Sequence, residues 1–135
     1  MKLGVGLART MVFCVLAVCF CGCSSQKEET IVGTWGETLN GDDESGGTSV
    51  TVHYMKNGKM TMDIVSIKGA KHLDFTYTAD KGKLVQTPVS GTLGGRPLNV
   101  THESLTSAYV VQDGHLVIAD PNNRQNMDLK RLADN

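Results

Sequence analysis

Beyond position 23 the chain has no cysteine. All four, Cys14, Cys19, Cys21 and Cys23, lie in or at the end of the first apolar segment. Disulfides, thiolate metal sites and thiol catalysis are thereby excluded from everything that follows. Aromatic residues are scarce, with one Trp, three Tyr and three Phe in 135 residues. Phe13 and Phe20 fall in that first segment, so a later core must rest on Val, Ile, Leu and Met around a few rings. No excess of positive charge exists: the formal net charge is −1, which gives no electrostatic case for nucleic acid. The longest apolar run, 11–20, covers about half of the roughly 20 residues needed to span a bilayer as a helix. No stretch sustains a 3.6-residue apolar period over ten residues or more.

Catalytic and metal-binding patterns are missing as well. There is no Gly-x-Ser-x-Gly elbow, and Ser90-Gly91-Thr92 and Gly94-Gly95 do not make a phosphate loop. The acidic loop from Asn40 to Gly47 offers Asp42, Asp43 and Glu44 but lacks the EF-hand ligand spacing, so it reads as a solvated loop. His53, His72, His102 and His115 are scattered without a His-x-His pair, and each reads as a surface histidine. Asp63, Asp74 and Glu103 are acid–base candidates that the sequence does not bring together. No cofactor is implied, and the chain reads as non-enzymatic.

What is present first is a sorting segment. Lys2 and Arg9 precede the apolar run, and the small residues Gly22 and Cys23 follow soon after it. This is the order of a secretory signal peptide. Phe20-Cys21-Gly22-Cys23 resembles the lipobox of bacterial lipoproteins, in which an aliphatic residue and two small residues precede a lipidated cysteine. The resemblance implies cleavage after residue 22 and diacylglycerol attachment to the Cys23 thiol. Phe20 departs from the usual leucine. Cys19 and Cys21 are rival positions, but Val18 and Phe20 before them are larger than the pattern takes. Two or more acyl chains give stable membrane attachment, whereas one is marginal. Residues 23–30 then form an acylated polar tether. Ser24 after the cysteine implies, again by resemblance, sorting to an outer membrane where the source has one. Removing residues 1–22 from 135 leaves 113, enough for one domain. The removed piece carries Lys2 and Arg9 and no acid, so 11 basic and 14 acidic residues remain, a net charge near −3.

From Ile31 the pattern changes to strict alternation. Ile31, Gly33, Trp35 and Leu39 share one face. Val50, Val52 and Tyr54 share the next, followed by Asn57-Gly58, the strongest two-residue hairpin signal. Met60, Met62 and Ile64 alternate in a third strand. Residues 68–71 turn the chain, and Leu73, Phe75, Tyr77 and Ala79 face inward in a fourth. Lys83 to Thr92 is a fifth strand, in which Pro88 marks an edge or bulge. Residues 94–97 read as a loop, and 98–103 are ambiguous. Strands over 104–112, 115–119 and 125–132 complete the chain. Short strands separated by turn signals every eight to twelve residues predict an all-β sandwich or barrel.

Gly33-Thr34-Trp35, Phe75-Thr76-Tyr77 and Leu129-Lys130-Arg131-Leu132, in that order, resemble the small lipocalin-like domains of bacterial lipoproteins. The resemblance covers about residues 31–132. It implies an antiparallel up-and-down barrel of about eight strands. It also implies that Gly33, Trp35 and Arg131 close the fold, with the Arg131 guanidinium stacked on the Trp35 ring. Tyr54, Met60, Met62, Phe75, Tyr77 and Tyr109 are the candidates to line a ligand cavity or to fill the core. The expected function is binding of a small apolar ligand, or envelope maintenance, by a lipid-anchored protein at the cell membrane or outer membrane. The alternative is a module that binds or inhibits an envelope protein through exposed loops.

Overall fold

The computed structural model describes residues 30–39, 46–120, 122 and 126–133. The expectations about the signal segment, Cys23, most of the tether, and Asp42, Asp43 and Glu44 lie outside the described residues. The remainder forms nine strands: β1 (Gly33–Leu39), β2 (Thr48–Tyr54), β3 (Lys59–Ser66), β4 (Gly69–Asp80), β5 (Lys83–Leu93), β6 (Arg96–Pro97), β7 (Leu105–Gln112), β8 (His115–Ala119) and β9 (Met127–Arg131).

Each long strand pairs antiparallel with its sequence neighbour, and β1 also pairs with β9. Eight strands therefore close into an up-and-down barrel, with β6 as an extra two-residue strand against β5. The alternation explains the closure. Directly opposed residues point to the same side of a sheet. Trp35 opposes Val52, Tyr54 opposes Met60, and Leu116 opposes Leu129. All six are fully buried. Together with Ile31, Leu84 and Ile118 they form the core. Sealing an apolar side chain of this size from water stabilises the fold by roughly 1.5–3 kcal/mol.

Three details differ from the sequence expectation. The Asn57-Gly58 hairpin is not a two-residue loop. Gly58 N–H donates to the Met55 carbonyl and Met55 N–H to that of Lys59, with Gly58 at a φ of 77°. That is a three-residue loop ending in a left-handed glycine. The β3–β4 reversal falls at Ile67-Lys68, so His72 lies inside β4 rather than at its start. Residues 94–97 are not an open loop. Gly94 and Gly95 both have positive φ, 55° and 78°, and bring Leu93 opposite Arg96, so Arg96 and Pro97 become β6. Pro88 behaves as expected of a residue without an N–H. The β4–β5 register slips beside it, between Asp74 and Phe75, and the β5–β7 ladder ends at Gln86.

The barrel has two unlike ends. The chain enters β1 and leaves β9 at one end, beside the turns at 55–58, 81–82 and 113–114. The turns at 67–68 and 94–95, the 98–104 segment, and Asp120 and Asn126 lie at the other. The β1–β9 seam is thin, with only Trp35–Arg131 and Gly36–Lys130 in register.

Candidate functional site

The chain-terminal end is closed by Trp35 and Arg131. Trp35 is fully buried, and its indole N–H donates to the Ile31 carbonyl at 2.8 Å. The Arg131 guanidinium lies 4.2 Å from the ring centroid. It also donates to the Thr30 carbonyl at 2.8 Å and the Val32 carbonyl at 3.2 Å. Gly33 makes room for this. A Cβ there would lie 2.6 Å from an Arg131 guanidinium nitrogen, and its φ of 142° is one that side-chain-bearing residues rarely adopt. Gly33, Trp35 and Arg131 thus form one closing plug, in which a cation covers an aromatic face.

Above the core, toward the other end, the interior is hollow. A cavity of about 470 Å³ is lined by Val52, Tyr54, Met62, Phe75, Leu105, Ile118 and Met127, with Gln86, Ser107, Glu37, Asp120 and Asn126 as its polar members. Its volume falls in the range of small-molecule sites, about 300–1,000 Å³. Gln86 forms part of the floor. It is 8% exposed, and its amide donates to the Tyr54 hydroxyl at 3.1 Å and the Met60 sulfur at 3.0 Å. Burial, and then the nearby Tyr77 phenol, pushes the Tyr54 hydroxyl well above its ordinary range. Tyr54 and Tyr77 meet edge to face at 4.9 Å, and Tyr77 donates to the Met55 carbonyl at 2.8 Å.

The six expected lining residues therefore divide. Tyr54, Met62 and Phe75 line the cavity. Met60 is sealed in the core beneath it. Tyr77 and Tyr109 border a different concavity, of about 670 Å³, at the closed end beside Thr30, Ile31 and the 80–82 turn. A third, of about 550 Å³, lies outside the barrel along the β1–β9 seam, bordered by Gly36, Thr38, Ser49, Thr51, Lys130 and Leu132. Glu37 and Gln86 are two of the polar cavity residues that sequence reading passed over. Strand parity is the signal that finds both: Glu37 follows Gly33 and Trp35 on the inward face, and Gln86 follows Leu84.

A polar cluster decorates the outer face of β3, β4 and β5. Asp63 opposes His72 across β3 and β4, and Asp74 opposes Ser90 across β4 and β5. Asp63 and Asp74, apart in sequence, thus flank one imidazole. His72 Nδ1 is 2.6 Å from Asp63, and Nε2 is 3.2 Å from Asp74. Ser90 donates to Asp74 at 2.6 Å. Its proton is directed at a carboxylate rather than at the imidazole, so this is not a nucleophile–base pair. No hydrogen bond or ion pair joins Glu103 to it. His115 pairs with Asp128 at 2.8 Å, His102 meets the Pro88 carbonyl at 3.0 Å, and His53 is exposed. Among the described residues, no group of three or more His, Cys, Asp or Glu is placed to hold a metal ion.

Compared with known proteins, the chain matches no family model, no curated protein and no solved structure.

Proposed function

We propose that this protein is an exported lipoprotein, anchored through Cys23, whose lipocalin-like barrel binds one small, largely apolar molecule without chemical conversion. The observation that carries the reading is the hollow half of the barrel: a cavity of about 470 Å³ above a packed floor, lined by convergent apolar side chains. A barrel of eight strands is wide enough either to be filled by its own side chains or to hold one small ligand, and here the filling stops at Tyr54 and Gln86. The lipobox-like Cys21-Gly22-Cys23 and the polar tether supply the address. Native mass spectrometry of the protein purified from its own host tests the reading. A stoichiometric small molecule that is lost when Met62→Trp or Phe75→Trp fills the cavity supports it. An unliganded chain that also fails to take up neutral apolar dyes rejects it.

A second reading has its own observation. The β3–β4 hairpin carries Val65 and Ile67, 53% and 68% exposed, at the same end as Leu93, 47% exposed. Apolar side chains grouped at a rim suit contact with an envelope protein.

A further inference from the structure

We propose that the barrel cavity selects organic amines, apolar molecules bearing one positive charge, and that Glu37 is the residue that reads the charge. The proposal rests on the cavity-binding reading above and specifies its ligand class. Glu37 lies on β1 in the inward register set by Gly33 and Trp35, and it lines the cavity with Val52, Met62, Phe75 and Met127. No hydrogen bond or ion pair joins its side chain to another described residue. The other carboxylate among the described lining residues is Asp120, and none of those described side chains is Lys, Arg or His. A half-buried carboxylate at the edge of the cavity, with no partner among the described residues, is free to pair with a cationic ligand. The same charges disfavour an anion such as a fatty acid. Glu37 also borders the outer groove along the thin β1–β9 seam, so it stands where the cavity reaches the barrel wall.

Three dansyl probes separate the possibilities: dansylcadaverine, a cation; dansylamide, neutral; and 6-(dansylamino)hexanoate, an anion with the same methylene spacer as the amine. Fluorescence titration of the full chain should show dansylcadaverine binding at least tenfold more tightly than the anion. Glu37→Gln should weaken the amine about tenfold, leave dansylamide unchanged and leave the emission maximum of the single tryptophan in place. Equal binding of anion and amine, or an amine preference that survives Glu37→Gln, overturns the charge selection while leaving a ligand-binding cavity intact. No binding of any probe overturns both.

Discussion

At the scale of single residues, Arg131 is the clearest case of one side chain doing three jobs. Its cation covers the Trp35 face, one guanidinium nitrogen holds the carbonyl of Thr30, and the other holds that of Val32. Arg131→Ala removes all three, and the expected cost is about 1–3 kcal/mol. Thermal unfolding should show it, together with tryptophan emission moved to longer wavelength. Arg131→Lys should recover only part, since an ammonium offers no planar surface and one point of charge. An unchanged melting temperature in Arg131→Ala would mean that the plug contributes nothing. The plug is legible in the sequence because it depends on parity within β1 and β9, which alternation reveals. Glu37 has the same parity as Trp35 and is harder to see, because an inward carboxylate contradicts the rule that charge stays outside. Such exceptions are recognisable only once the space beside them is known to be hollow.

At the scale of elements, the register of β3, β4 and β5 builds the His72 cluster. Hydrogen bonding to Asp63 first, then its charge and Asp74, raises the His72 pKa above its ordinary 6.5, against a smaller opposing effect of burial. Hydrogen bonding from Ser90, and then from His72, lowers Asp74 below its ordinary 3.8. The raised histidine contributes stability that is complete below pH 6.5 and is lost as pH rises through the folded-state value. The lowered carboxyl contributes stability that is complete above pH 3.8 and is lost as pH falls through its folded-state value. The cluster therefore stabilises most fully between those two limits. Its side chains are 41–51% exposed at His72 and Asp63, so solvent screening holds the effect below about 1 kcal/mol. His72→Gln should flatten the fall in melting temperature between pH 6 and 8. A profile indistinguishable from that of the unaltered protein would remove His72 as its cause. None of this pairing is visible in the sequence, because it depends on where the reversal falls. Reading the turn at 68–71 rather than at Ile67-Lys68 leaves His72 at a strand end, with no partner assigned across the sheet. The short β6 escapes notice for a related reason: Gly94-Gly95 reads as a loop until both glycines are seen with positive φ.

At the scale of the whole molecule, the point where the chain enters β1 and the cavity lie at opposite ends of the barrel. The chain enters β1 beside the Trp35–Arg131 plug, so a lipidated tether would hold the closed end toward the membrane and turn the hollow end outward. Cys23→Ala should abolish incorporation of labelled palmitate and release the protein from the membrane fraction. Palmitate still entering that variant would refute the attachment site. The plug has one further consequence, which concerns the order in which the chain is made. Arg131 reaches the Thr30 carbonyl across 101 positions, so the first strand waits for the last. Until β9 is delivered, Trp35 lacks its cover and the sheet keeps two open borders, the kind of surface on which unfinished chains join one another. Closure thus ties the barrel's first strand to its last: β1 has its second neighbour only when β9 is in place.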